Sequence, residues 1–204
     1  MEEMGYALYP GPYLAHVAGG GRLELNGLVY GADEDGELVQ SVDPSRPLRR
    51  SPRSGSETPR LRAAMAAEAV GVAQRVLELG IQHAKTREQF GKPIGVYQAV
   101  SHALADTYAD VELARSLAYW AAWCVAEEDE QAPVAAAAAK AFASEAAVRA
   151  CERSIQVHGG TGFTWEHPLH RFYKRALWLE GFGLRPSALR AEVADAVLGV
   201  TVGV

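Results

Sequence analysis

Thr86-Arg87-Glu88-Gln89-Phe90-Gly91-Lys92-Pro93-Ile94-Gly95-Val96-Tyr97-Gln98 interrupts two long amphipathic patterns, and its reading decides the fold. On its N-terminal side, Arg62 to Thr86 place Met65, Ala69, Val72, Val76, Leu79 and His83 three or four positions apart, the spacing of one helix face. Beyond it, from Gly95 to about Glu128, the series Val96, Val100, Leu104, Tyr108, Val111, Leu117, Trp120 repeats that spacing. A third helix is predicted over Pro133–Val157, with proline in its first turn, after an acidic run Glu127–Glu130 that reads as a solvated connection. It stops at His158-Gly159-Gly160, where glycine can adopt a left-handed cap. Shorter helices follow over Pro168–Glu180 and Pro186–Leu198. Long helices joined by short turns predict a mainly α chain, an antiparallel helical bundle whose alanines permit close approach.

The first 59 residues differ in kind, so the chain divides into 1–59 and a bundle over 60–204. Glu2 to Leu8 reads as a helix end stopped by Pro10-Gly11-Pro12, and Gly19-Gly20-Gly21 as a flexible break. Arg22 to Tyr30 alternates apolar and polar like a half-buried strand. Glu37 to Val42 reads as a second strand, reached through the turn signal Asp35-Gly36. Asp43 to Pro59 has the Pro, Ser and Arg content of a linker, and its basic cluster Arg46–Arg53 reads as a solvated loop. Two short strands form no independently stable sheet, so this segment must lean on the helices, join a partner or stay partly disordered.

The composition narrows the function classes. The chain has 204 residues, 49% of them hydrophobic and 22% charged, enough to build a core. Its net charge of −5, with aromatics not interleaved with basic residues in the way nucleic-acid binding needs, argues against that class. No apolar run approaches the roughly 18–20 residues of a membrane span. An acidic N-terminus is unlike a secretory signal. Cys124 and Cys151 sit within helical patterns without metal-ligand spacing, as reduced thiols of a cytoplasmic protein would. The chain contains no P-loop, strand–GxGxxG–helix fingerprint, zinc spacing or supported Ser-His-Asp set, and His158 and His167 read as structural.

Two segments carry chemistry. Arg87 offers a planar fork suited to a diphosphate, Gly91 lets backbone come near a ligand, Phe90 supplies a flat apolar face, and Gln98 offers an amide. A charged, glycine-containing helix connection explains the same residues equally well. Gln156-Val157-His158-Gly159-Gly160 is the second segment, although a glycine pair at a helix end is most often just a cap. Phe163 and Trp165 beyond it are expected to pack.

Together these segments resemble the acyl-CoA dehydrogenase family. The motif Arg87-Glu-Gln-Phe-Gly-Lys-Pro-Ile-Gly with Gln98 is followed by Gln156-Val-His-Gly-Gly-Thr-Gly-Phe-Thr-Trp-Glu-His-Pro, and Arg60 to Leu198 is similar throughout to the family's C-terminal helical domain. Residues 1–14 and 21–48 look like remnants of its N-terminal helices and β-domain. The resemblance implies FAD as cofactor, an acyl-CoA thioester as substrate, oligomers, and an electron-transfer flavoprotein as acceptor. It implies that Arg87, Phe90, Gln98 and the run Gln156, Val157, His158, Gly159, Gly160 contact the ADP half of a neighbouring subunit's FAD. Arg62 falls where many members place an acyl-CoA-binding arginine.

The departures concern the base that takes the substrate's α-proton. Of the two places where members put their glutamate, one is Gly183 here and the other Leu61. Glu180, three residues before Gly183, would need a shifted loop to substitute. Only a small part of the region that walls the flavin ring is retained. Three roles follow: a base-less subunit completing a partner's FAD site, a short self-sufficient enzyme using Glu180, or a truncated inactive product.

Overall fold

Thr58 caps the first long helix: its Oγ1 accepts the Leu61 N–H at 3.2 Å, and Pro59 fills a first-turn position that needs no donor. In the computed structural model, which describes residues 1–8, 14–15, 22–25, 28–31, 36–51 and 55–199, this helix, α2, spans Pro59–Thr86. Before it come α1 (Glu2–Tyr6) and the strands β1 (Arg22–Leu25), β2 (Leu28–Gly31), β3 (Leu38–Val39) and β4 (Leu48–Arg50). After it come β5 (Glu88–Gln89), β6 (Lys92–Pro93), α3 (Gln98–Ala126), α4 (Ala132–His158), α5 (Leu169–Gly181) and α6 (Pro186–Leu198). The predicted helices therefore form, with ends shifted by up to three residues.

The bundle is arranged around α4, on which α2, α3, α5 and α6 all pack. Ala135, Ala136, Ala139, Ala143, Ala146 and Ala147 are fully buried along it, so backbones approach closely on several sides. Neighbours in sequence run antiparallel. Arg115 at the C-terminal half of α3 donates to Gln74 of α2 at 3.1 Å, and Arg153 near the end of α4 donates to Thr107 of α3 at 3.3 Å. The arrangement leaves α2 and α4 parallel: Lys140 meets Glu57 at one end, and Ser154 donates to the Val76 carbonyl at 2.8 Å toward the other. Both cysteines are buried and unpaired, and burial pushes the Cys151 thiol far up, out of reach of thiolate chemistry.

The front segment leans on the helices, with Leu14, Tyr30 and Leu48 in the same core as α2 and α5. Its strands differ from expectation. Arg22–Tyr30 is two strands, because Leu25 pairs with Leu28 and the run folds back on itself. Glu37–Val42 contributes only Leu38–Val39, and β4 lies within the expected linker, giving an antiparallel sheet of order β1-β2-β4-β3. The expected stop at Pro10–Pro12, the glycine run 19–21, Asp35 and Arg53 lie outside the described residues.

Arg46 corrects the solvated-loop reading of the basic cluster. It is 2% exposed, its guanidinium lies 4.6 Å from the Trp178 ring centroid, and Nη2 donates to Glu68 Oε1 at 2.5 Å. Glu68 also accepts from Arg175 at 2.7 Å, and Arg175 in turn donates to Asp43 at 2.5 Å and to Ser45 at 2.9 Å. Burial disfavours the Asp43 carboxylate, but Arg175 and Ser45 outweigh it and hold the carboxyl below its usual range. This chain of two guanidiniums and two carboxylates fastens the front segment to α2 and α5.

A second fastening is steric. A Cβ on Gly71 would lie 1.8 Å from the Glu2 carbonyl oxygen, and one on Gly5 would lie 2.0 Å from that of Glu68. The α1 and α2 backbones thus touch. Gly71→Ala is expected to displace α1 at a cost of about 1–3 kcal/mol. Faster amide exchange confined to α1 and its contacts on α2 would show it; unchanged exchange in α1 would refute the crossing.

Candidate functional site

Both segments singled out in the sequence lie at one end of the bundle. Arg87 follows α2 by one residue, and Gln156 belongs to the last turn of α4. They are joined by a stack of imidazoles: His83 on α2 packs on His158 at 4.3 Å between ring centroids, and His167 packs on His158 at 4.5 Å. His158 Nδ1 lies 2.7 Å from the Ser154 carbonyl, which places a proton on Nδ1 in the neutral ring. The three histidines therefore pack the end of α2 against the second segment. Sequence reading took His167 as structural, His158 as structural by spacing and as a cofactor contact by resemblance, and His83 as a helix-face residue, and it missed their meeting.

Residues 87–93 form a hairpin rather than a plain turn. Glu88 pairs with Pro93 and Gln89 with Lys92, while Phe90 (φ 52°) and Gly91 (φ 73°) make the reversal. Positive φ at both central residues is the signature of the tight hairpin turns, and it is unusual for phenylalanine. The reversal leaves Phe90 91% exposed, edge-on to Tyr97 at 6.5 Å between ring centroids, and the Tyr97 hydroxyl donates to the Gln89 carbonyl at 3.1 Å.

At the α4 end, Gly159 has φ 61° and ψ −136°. It is a positive-φ cap as expected, but outside the left-handed helical region and in a conformation open essentially to glycine alone. A Cβ on Gly91, Gly159 or Gly160 would meet nothing within 4 Å, so each bares its backbone toward open space. Phe163 and Trp165, expected to pack, are 74% and 73% exposed, because the segment turns outward into a 3₁₀ turn over Gly159–Phe163 before α5 begins.

The donor set here is unengaged. Among the described residues, the side chains of Arg87, Gln98 and Gln156 make no hydrogen bond or ion pair, and all three are exposed. Val157 is half-buried, His158 is buried, and Gly160 is exposed. A guanidinium, two amides, a flat ring and bare glycine backbone fit the diphosphate, ribose and adenine of a dinucleotide. A small apolar cavity at this end is lined by Ile81, Ala84, Pro93, Val96 and Leu104, and Arg87, Gln98 and Gln156 are not among its lining residues.

Arg62 presents the opposite case. It lies about 37 Å from Arg87 along α2 at the helical rise of about 1.5 Å per residue. It is 7% exposed, donating to Glu57 at 3.0 Å and, with both terminal nitrogens, to Glu192 of α6 at 2.5 and 3.1 Å. Lys140 also holds Glu57 and donates to the Phe182 and Leu184 carbonyls at 2.8 and 3.1 Å. Arg62 is thus closed over by carboxylates.

The two positions expected for the base hold no titratable side chain. Gly183 has φ 79° and Leu61 is 2% exposed. Gly183 borders a small cavity with Leu28, Ser41, Leu177, Trp178 and Phe182, and no carboxylate lines it among the described residues. Glu180 is absent from its walls. Burial, then the carboxylates of Glu145 and Glu152 on α4, push the Glu180 carboxyl above its usual range.

The imidazole stack gives this end a pH dependence. Burial, then His158, Arg87 and His167, lower the His83 pKa from the usual 6.5; burial, then His158 and His170, lower that of His167. The groups acting on these rings are all basic. The unfolded chain therefore binds protons before the folded chain does, and stability present above about pH 6.5 is lost as pH falls through that value toward the folded pKa. Urea midpoints are expected to drop on acidification, and less so in His83→Phe; an equal drop in both would exclude the stack as the cause.

Comparison with known proteins adds the following. Residues 56–183 match the family model described as acyl-CoA dehydrogenase, C-terminal domain. The acyl-CoA dehydrogenase IpdE2 of Mycobacterium tuberculosis is 39% identical over 146 residues, covering 68% of this chain and 44% of that protein. Among solved structures, butyryl-CoA dehydrogenase from Megasphaera elsdenii superposes with a TM-score of 0.71 at 26% identity, over 85% of this chain and 49% of that one. The ChsE4-ChsE5 complex from Mycobacterium tuberculosis gives 0.70 at 26% identity, over 89% of this chain and 55% of that one. The chain thus spans about half the length of these relatives.

Proposed function

The chain belongs to the acyl-CoA dehydrogenase family through its C-terminal domain, and from that premise we propose that it serves as a base-less subunit, completing the FAD site of a partner acyl-CoA dehydrogenase chain. Bound flavin in this family supplies the acceptor for the β-hydrogen of an acyl-CoA thioester, removed as hydride. This chain's part is to bind and orient. Arg87 would neutralise the diphosphate, Gln98 and Gln156 would hold sugar or adenine edges, Phe90 would cover an apolar face, and Gly159 and Gly160 would admit the cofactor to bare backbone. The partner would provide the carboxylate base and the wall against the flavin ring. Electrons would leave to an electron-transfer flavoprotein.

One contrast carries this reading: an unengaged, open donor set at the ADP end stands beside base positions occupied by Gly183 and Leu61. The outer face of α3 is consistent with assembly, since Leu113, Tyr119 and Trp123 are 57%, 60% and 55% exposed. Resemblance to a two-component complex points the same way. The second reading, a self-sufficient enzyme using Glu180, draws support from the raised pKa of that carboxyl. It suffers from Glu180 facing α4 instead of the cavity beside Gly183.

Co-expression with a full-length homologue decides between them. The two chains are expected to co-purify with visible flavin absorption and acyl-CoA-dependent reduction of an acceptor, and the chain alone to be colourless. Failure to co-purify, or a yellow and active chain on its own, would overturn the proposal.

A further inference from the structure

We propose that the cleft between α1, the Asp43–Ser45 loop, α2 and the start of α5 is a second ligand site, for an organic anion with a flat ring body. Its volume is about 980 Å³, large enough to enclose a small metabolite. Trp165 and Pro168, at the end of the second segment, are in its lining, whereas Arg87, Gln98 and Gln156 are not, and the inference does not depend on the flavin reading.

The walls are fixed by contacts within the fold. On one side α1 is held backbone to backbone at Gly5 and Gly71, and the Tyr6 hydroxyl donates to Glu78 at 2.6 Å while Arg75 donates to that hydroxyl at 3.1 Å. Arg175 clamps Asp43 and Ser45 of the loop from beneath. Tyr6, Arg75, Asp43 and Ser45 are therefore placed before any ligand arrives, which lowers the entropic cost of binding.

Charge selects the sign of the ligand. Asp43 is the one carboxylate among the described lining residues, and it is neutralised by Arg175. Arg75 is engaged by Tyr6 and Glu78. Arg171 and Lys174, one turn apart on α5, also line the cleft and have no carboxylate partner among the described residues. Two uncompensated cations beside a low-dielectric wall favour an anion.

Shape selects the rest of the molecule. Leu8, Leu79, Pro168 and Phe172 supply apolar wall, and Trp165, 73% exposed, offers an indole with Lys174 Nζ 4.4 Å from its centroid. A bare inorganic anion would satisfy the cations and leave that wall wet. A neutral hydrocarbon would cover the wall and leave the cations uncompensated. An anionic head on a flat apolar ring meets both demands.

The test titrates the intact chain with anilinonaphthalene sulfonate and with its uncharged counterpart phenylnaphthylamine, reading probe fluorescence. Saturable binding of the sulfonate at one site is expected, with the uncharged probe about tenfold weaker or worse. Arg171→Ala with Lys174→Ala should weaken the sulfonate about tenfold or more, Trp165→Ala should weaken both probes, and Arg87→Ala should change neither. If the alanine pair unfolds, Arg171→Gln with Lys174→Gln keeps the stems and repeats the measurement. Equal affinity for the two probes, no loss in the charge variants, no saturable binding, or displacement by inorganic phosphate alone would each overturn the proposal.

Discussion

Glu68→Ala is expected to lower the unfolding free energy by about 3–5 kcal/mol, the cost of leaving buried charges without their counter-ion. Glu68 is fully buried, and its Oε1 accepts from both Arg46 and Arg175, which are 2% and 1% exposed. Asp43 remains for Arg175, whereas among the described residues the Arg46 guanidinium would keep the faces of Tyr30 and Trp178 and no carboxylate. Against a typical domain stability of about 5–15 kcal/mol, such a loss is large. Urea denaturation should show a lowered midpoint with an unchanged slope. Glu68→Gln, which keeps one acceptor, should lose less. A loss below about 1 kcal/mol in the alanine variant would mean that the guanidiniums reach water and the network does not fasten the front segment.

Arg87→Ala is expected to weaken flavin retention by the reconstituted assembly about 10- to 100-fold. A hydrogen bond to a charged group contributes about 1.5–3 kcal/mol, and about 1.4 kcal/mol is a factor of ten. Fold stability should stay within about 0.5 kcal/mol of the parent, because the exposed side chain has no intramolecular partner among the described residues. Equilibrium titration of FAD beside thermal unfolding reads both quantities. Lysine at 87 should recover part of the affinity, keeping the charge without the fork. Unchanged affinity in the alanine variant would remove Arg87 from the cofactor site.

The helices were legible because their apolar residues recur with the period of a helix, and α6 keeps the predicted bounds Pro186–Leu198. Strand β4 was hidden because its pairing with β2 and β3 satisfies a stretch whose proline, serine and arginine content reads as linker. Arg46, Glu68 and Arg175 could be seen only as charges in awkward places. Their partners lie 22, 107 and 132 residues away, and no local pattern encodes such pairings. The same holds for the histidine stack, whose rings come from α2, α4 and the segment before α5. A signal was nevertheless present: Glu68, Lys140 and Arg175 interrupt the faces that the alanine and leucine spacing assigns to the core.

The site residues were legible as motifs, and what each can do depends on its surroundings. Arg62 and Arg87 are indistinguishable as letters. In the fold one is held by Glu57 and Glu192, and the other points to open space unpaired among the described residues. The count that puts Gly183 at an expected base position was also legible, and the positive φ there adds that the position favours glycine.

A solved structure of the flavin-loaded assembly tests the central claim most directly. The account predicts Arg87 and Gln156 both within hydrogen-bond distance of the ADP half of one FAD whose ring lies in the partner chain. A cofactor whose diphosphate touches neither residue would contradict it.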